Sequence, residues 1–443
     1  MQQLLILGIG RSTYYLLQYV HDVLIPKGHI IIAIDGQKEL VLKRQMEFPA
    51  IQFIQSDICT ETIATHIQNA NLVVSMLPPA FHTMAAELCI QYNKHFFTAS
   101  YVSPSIRALQ DEVKQKELIF LMECGLDPGI DHMSAMSMIH SLQDKGAVIG
   151  SFESYTGGLV HPAHLNPPWN YKISWNPRNV VLAGQGNAVQ YREHDTIKIV
   201  PYQRLFINPS LWKINETHIY EGYPNRDSLS YQSLYNLGHA STFIRGTLRY
   251  EGFCEGWNYL VHLGLTDDTV ILPEDHNRTG RSFLNHFLNG RDEEIEDALG
   301  KLFPEENTHI YHYLETLGLL DETPLIIQAG TAAQILQSIL EVKWKLEETA
   351  TDRIVMIHRI QYTLEGVQYT VQSSLIVDGE DAERTAMAKT VGLPLAIAID
   401  CFLNGEIAIR GIAIPVTAEF YKPILDKLVA FDIRFKELLV SSY

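Results

Sequence analysis

The first 125 residues set short, unbroken apolar runs against stretches with helical spacing. Six runs read as strands: Leu4–Leu7, Ile30–Ile34, Ile51–Ile54, Leu72–Met76, His95–Thr98 and Leu118–Met122. Unbroken apolar runs belong to strands covered on both faces, as in a parallel sheet with helices on either side. Between them, Thr13–Asp22, Ala80–Tyr92 and Pro104–Lys116 carry helical patterns, the last with Ser103 as N-cap and Pro104 in its first turn. The pattern predicts a Rossmann-type, doubly wound α/β domain.

After Leu126 the rhythm changes. A helix, Ile130–Leu142, leads into aromatic and β-branched segments that predict strands at Ser151–Thr156, Tyr171–Trp175 and Thr196–Pro201. The polar stretch Arg281–Leu320 reads as a helical insert, and Ala332–Leu346 as a further helix. Val355–Thr363 and Gln368–Val377 flank Leu364-Glu365-Gly366 as a hairpin, and Ala386–Val440 is helix-rich. The expected division is a dinucleotide-binding domain at 1–127 and an α+β substrate domain with a mixed sheet at 128–385. That domain would hold its small helical insert at about 280–321, and a segment at 386–443 would return to the first domain.

The length of 443 residues fits two or three folding units, and 46% hydrophobic with 19% charged residues is ordinary globular composition. A net charge of -17 argues against a nucleic-acid partner, which would need a basic excess, but leaves room for anionic small substrates met by local arginines. Met1–Leu7 carries no basic residue before Gly8 and does not read as a secretion signal. The longest apolar candidate for a membrane span, Val391–Leu403, is interrupted by Pro394 and Asp400, so no membrane partner is expected. Five scattered cysteines without CxxC spacing suggest reduced thiols, a cytoplasmic address and no metal. A homodimer is left open.

Gly8-Ile9-Gly10-Arg11-Ser12-Thr13 follows the first strand and opens a helical pattern. Two glycines let the backbone turn tightly and approach a pyrophosphate over the amides of a helix start. Thr13 stands where a third Gly or Ala is usual. Asp35 ends the second strand, 25 positions after Gly10, where a carboxylate accepts from ribose hydroxyls and repels a 2′-phosphate. This favours NAD over NADP, although Lys38, Lys43 and Arg44 lie close in sequence and Asp35-Gly36 by itself reads as a turn. The cofactor set expected at the carboxyl edge is Gly8, Ile9, Gly10, Arg11, Ser12, Asp35, Asp57, Leu77, Pro78, Thr98 and Ala99. Three segments end there: Leu77–His82, Thr98–Tyr101 and Gly125–His132. From local pattern alone Asp127 is as fit to cap the next helix as to catalyse, His82 suits a plain packing role, and Tyr101 suits packing.

Thr98-Ala99-Ser100-Tyr101-Val102-Ser103-Pro104 followed by Glu123-Cys124-Gly125-Leu126-Asp127-Pro128-Gly129-Ile130-Asp131-His132 resembles the saccharopine dehydrogenase family. Ser154–Leu159, Tyr171–Trp175, Tyr223–Ser228 and Arg245–Tyr250 are similar to its glutamate-forming branch, and Ala386–Leu403 to its C-terminal segment. The resemblance implies reversible, NAD- or NADP-dependent oxidation of saccharopine, hydrolysis of the imine, and release of L-glutamate and 2-aminoadipate 6-semialdehyde, without a metal. It also implies that Ser100, Tyr101, Asp127, Arg226, Thr247, Leu248 and Arg249 contact this tricarboxylate amine, with Asp127 and Tyr101 handling protons. Arginine forks suit the carboxylates, with Arg245 the weaker candidate. Thr156 replaces a cysteine common in fungal relatives, and Asp35 departs from their NADP-type pattern. A carboxynorspermidine or lysine 6-dehydrogenase-like enzyme, and a non-catalytic dinucleotide-binding regulator, are the alternatives.

Overall fold

The computed structural model describes all residues except 184, 187, 215–217, 226, 289–294, 305, 306 and 443, with the side chains of 307, 308, 441 and 442 also set aside. The chain forms two compact units, Met1–Ile149 with Ile360–Tyr443, and Gly150–Arg359. The boundaries expected at 127 and 385 both fall inside the first unit.

In the first unit, six strands form as the apolar runs dictate: β1 (Gln3–Leu7), β2 (Ile30–Asp35), β3 (Gln52–Gln55), β4 (Leu72–Ser75), β5 (His95–Thr98) and β6 (Ile119–Leu121). They lie parallel in the order β3-β2-β1-β4-β5-β6, and a seventh strand, Gly411–Ala413, adds beyond β6. This is the doubly wound arrangement, with the reversal of winding between β1 and β4. Its apolar centre includes Leu5, Leu7, Val73, Phe96 and Phe120, all shut from water.

The run after Gly10 is less regular than its pattern suggests. It starts as a 3-10 turn at Arg11–Thr13, continues as α-helix at Tyr14–Tyr19 and ends in a π-turn at Val20–Leu24. It packs on the helix Ala386–Leu403, where a side chain at Gly392 would come 2.8 Å from Leu16 N. That 18-residue helix is apolar and long enough to cross a membrane by length and composition, longer than the run read from sequence. Yet 72% of it is buried, and its Asp400 is held by Lys27 at 2.5 Å and by the Tyr19 hydroxyl at 3.2 Å. Also in this unit, Val367–Asp378 pairs antiparallel with Lys436–Ser442, so the supposedly helical tail contributes two strands.

In the second unit, Thr242–Tyr250 lies antiparallel to Ile219–Pro224 and parallel to Val148–Val160, which makes the sheet mixed. Val148–Val160 is more than twice as long as the strand expected at Ser151–Thr156. The strand expected at Tyr171–Trp175 does not form. Only an isolated bridge ties Ile173 to Lys345, and the aromatic side chains instead fill a core with Trp169, Phe253, Trp257 and Trp344. Bulky aromatic residues raise strand propensity because they pack well, and here the packing is achieved without a ladder. Among the described residues, the stretch read as helical from Arg281 to Leu320 contains three helices, Gly280–Asn285, Ile295–Leu302 and Asn307–Thr316.

Candidate active site

The glycine turn is shaped by its neighbours. Gly8 has φ +86°, and a Cβ there would sit 3.0 Å from the backbone of Met76 at the end of β4. Around Gly10 a Cβ would meet nothing within 4 Å among the described residues, which leaves this face of the turn open to a ligand. Ile9 N donates to Asp35 Oδ2 at 2.9 Å, and Gln37 N donates to Oδ1 at 2.9 Å. Asp35 therefore braces the turn as well as opening its own, while staying partly exposed. Thr13 is buried, and its hydroxyl donates to Gly10 O at 2.7 Å, so the missing third glycine is replaced by a side chain that closes the turn. Arg11 is exposed, Ser12 half-buried, Leu77 buried and Pro78 exposed.

The cations near β2 are unevenly available. Arg44 is buried against Glu47 and Glu383 with Tyr14 beneath it, and Lys43 Nζ lies 2.5 Å from Glu383. Lys38 remains exposed. Exposed Asp57 places Oδ1 3.8 Å from where a Gly36 Cβ would stand, so a second carboxylate joins Asp35 at this edge.

Beyond β4 and β5, His82 is 4% exposed and links two serines, with Nδ1 2.9 Å from Ser75 Oγ and Nε2 2.8 Å from Ser100 Oγ. Burial lowers its pKa to about 4, so the ring is neutral near pH 7. Thr98 is buried and donates its hydroxyl to Ser75 O at 2.7 Å, while Ala99 and Ser100 stay partly open. Tyr101 donates its hydroxyl to Asp127 Oδ1 at 3.0 Å. Asp127 is not a helix cap: the next helix starts at Ile130 with Gly129 as N-cap. Gly129 has φ +147°, and a Cβ there would lie 2.1 Å from Gly125 O. The turn from Gly125 to Gly129 carries the Asp127 carboxyl that accepts from Tyr101.

The second unit carries the arginines. Arg249 is 4% exposed and lies over the rings of Tyr171, Phe253 and Tyr223 at 5.1, 5.3 and 5.9 Å. Its Nη1 donates to Leu248 O at 2.9 Å, and its buried Nε has no partner among the described residues. Burial works against its charge, but the Tyr223 and Tyr171 phenols offset this and its pKa lies above the usual value. Thr247 lies on the same face of its strand as Arg249 and pairs in register with Thr156, whose buried hydroxyl has no partner among the described residues. Leu248 points to the opposite face and is fully buried. Arg245 stacks on Tyr231 at 4.2 Å. Arg226 lies outside the described residues.

Residues 5–121 match the family model described as the saccharopine dehydrogenase NADP binding domain, and residues 125–433 the one described as the saccharopine dehydrogenase C-terminal domain. The chain belongs to the saccharopine dehydrogenase family. Within it, the chain is 31% identical over 386 residues to saccharopine dehydrogenase [NADP(+), L-glutamate-forming] of Schizosaccharomyces pombe, covering 85% of each. It is 32% identical over 434 residues to the alpha-aminoadipic semialdehyde synthase of Arabidopsis thaliana, covering 92% of this chain and 40% of that protein. The chain thus spans about two fifths of the length of such synthases. The apo saccharopine dehydrogenase (L-Glu forming) of Saccharomyces cerevisiae superposes with a TM-score of 0.88 over 100% of both chains at 28% identity.

Two features of this candidate site were not foreseen from the residues. One is the His82 link to Ser100, hidden because a lone histidine in a first helical turn gives no spacing signal. The other is the buried set Glu123, Asp131 and His132, which was quoted as part of a motif without a role.

Proposed function

We propose that the chain is an NAD(P)-dependent saccharopine dehydrogenase of the L-glutamate-forming kind, working in lysine metabolism. The observation that carries this is Arg249. A guanidinium held almost fully buried over three aromatic rings, with no carboxylate at ion-pair distance among the described residues, suits a carboxylate brought by the substrate. Leaving such a charge buried and unpaired is costly, and a substrate carboxylate removes that cost.

A dinucleotide fits the glycine turn, where Gly10 leaves an open face and Asp35 fixes Ile9 N. A bound dinucleotide would supply a nicotinamide acceptor for the hydride on the carbon beside the secondary amine of saccharopine. Asp127 takes the proton from that amine, with the Tyr101 hydroxyl holding the carboxylate at 3.0 Å. The imine then adds water, and Asp127 and Tyr101 move the protons by which the carbinolamine collapses to L-glutamate and 2-aminoadipate 6-semialdehyde. Neutral His82 orients Ser100 as a hydrogen-bonding partner of the substrate. Thr247 and the Thr156 hydroxyl supply polar contacts near Arg249.

The Schizosaccharomyces pombe relative is named for NADP(+), whereas the Asp35 edge of this chain favours NAD. Asp35 and Asp57 place two carboxylates there, and Lys43 and Arg44 are engaged by Glu383 and Glu47. Five free thiols support a cytoplasmic setting. The test is reduced-nicotinamide absorbance after mixing the chain with saccharopine and each cofactor in turn. The reading expects turnover with saccharopine and a lower KM for NAD. Turnover of lysine or of a carboxylated polyamine in its place would overturn it.

A further inference from the structure

Behind the Tyr101–Asp127 pair, three ionisable side chains are stacked out of reach of water: Glu123 is 2% exposed, Asp131 1% and His132 0%. Glu123 Oε2 accepts from His132 Nε2 at 2.9 Å, and His132 Nδ1 faces Asp131 Oδ2 at 3.7 Å. The outer oxygens of this chain end on backbone amides. Glu123 Oε1 accepts from Val102 N at 3.0 Å, next to Tyr101, and Asp131 Oδ1 accepts from Gly129 N at 2.6 Å, two residues past Asp127. Glu123 also donates its own backbone N–H to Ser100 O at 3.0 Å, so one residue grips the Tyr101 loop on both sides. The Gly125–Gly129 turn is closed by Gly125 N to Pro128 O at 2.9 Å and by Ile130 N to Gly125 O at 2.8 Å.

We propose that Glu123, His132 and Asp131 are positioning residues, a buried bracket that ties the loop carrying Tyr101 to the turn carrying Asp127 and so fixes the distance between those two groups. The inference rests on the reading of Tyr101 and Asp127 as the proton-handling pair. Its physical basis is that a buried chain of ionisable groups contributes little net stability compared with apolar residues of similar size. What such a chain does supply is fixed geometry, since each member has one arrangement that satisfies its neighbours. Displacement of a reacting group by about 1 Å is enough to cost on the order of 100-fold in rate.

The experiment compares the full chain with Glu123→Gln, Asp131→Asn, Asp127→Asn and the two double variants that join either bracket change to Asp127→Asn. Saccharopine kinetics are followed across pH, with dinucleotide affinity and the thermal midpoint measured alongside. Glu123→Gln keeps an oxygen for Val102 N but disturbs the His132 link, and Asp131→Asn keeps an oxygen for Gly129 N. The bracket predicts that each single change lowers kcat on the order of 10- to 100-fold. It predicts a KM for saccharopine and a dinucleotide affinity within about 3-fold of the parent, and a displaced limb of the kcat–pH profile. In the Asp127→Asn background the same changes cost little more, because they act through the group already removed. Losses that multiply in the double variants, an unshifted kcat in both bracket variants, or failure of both to fold would each overturn the proposal and leave the set as plain core structure. If Asp127→Asn itself leaves kcat intact, the catalytic reading fails first, and that result is distinct from a failure of the bracket.

Discussion

At the scale of single residues, the account rests on groups whose surroundings leave them one task. On the proposed reading Arg249→Ala removes the fork that meets a substrate carboxylate, so the KM for saccharopine should rise at least about 10-fold with a smaller fall in kcat, as steady-state kinetics would record. Asp127→Asn keeps the shape and removes the proposed base, so kcat should fall by about 100-fold or more, with KM changed less. An unchanged kcat would take Asp127 out of the chemistry even with the fold intact. His82 yields a prediction about stability and pH. Its folded pKa of about 4 lies below the ordinary value near 6.5, so the unfolded chain binds a proton more readily. The contribution of neutral His82 is complete above about pH 6.5 and fades as the pH drops toward 4, reaching about 3 kcal/mol for full titration. His82→Gln should flatten the acid limb of the thermal midpoint against pH; a limb as steep as the parent's would remove His82 from the effect.

At the scale of elements, two glycines serve different ends, and the difference is measurable. Gly129→Ala would put a Cβ 2.1 Å from Gly125 O at φ +147°, so it should lower stability by about 2 kcal/mol or more in chemical denaturation. Gly10→Ala points into open space, so the thermal midpoint should hold while dinucleotide affinity drops at least several-fold by calorimetry. Much of the first unit was legible from the apolar runs. His95–Thr98 matches its strand end for end, and Ser103 caps its helix by accepting from Ile106 N at 3.2 Å. Errors arose where tertiary packing overrode local pattern. Tyr171–Trp175 packs as core without a ladder, and Gly411–Ala413 is too short to stand out from helical neighbours. Asp400, which with Pro394 interrupts the apolar run Val391–Leu403 in sequence, sits inside the helix Ala386–Leu403, because Lys27 and Tyr19, 373 and 381 residues away, meet its carboxyl. Asp127-Pro128 looked like a cap because the pair has the right residue types, whereas Gly129, open to φ values denied to other residues, takes that place.

At the scale of the whole molecule, the question is which substrate and which cofactor the chain accepts. The sequence pointed to both classes of residue, the glycine turn with its acid and the arginines of the later strands, but not to the aromatic cage around Arg249, whose rings are scattered from Tyr171 to Phe253. Asp35→Ala should weaken NAD binding several-fold and narrow the preference between NAD and NADP, since on the proposed reading the carboxylate that holds Ile9 N also meets the ribose. An unaltered NAD/NADP ratio of kcat/KM would show that Asp35 only braces the turn. The most direct test of the central claim follows the nitrogen. Saccharopine labelled with ¹⁵N at its secondary amine is oxidised by the full chain, and the products are resolved by mass spectrometry. The account predicts label in L-glutamate together with unlabelled 2-aminoadipate 6-semialdehyde. Label recovered in lysine, or saccharopine left uncleaved with either cofactor, would contradict it.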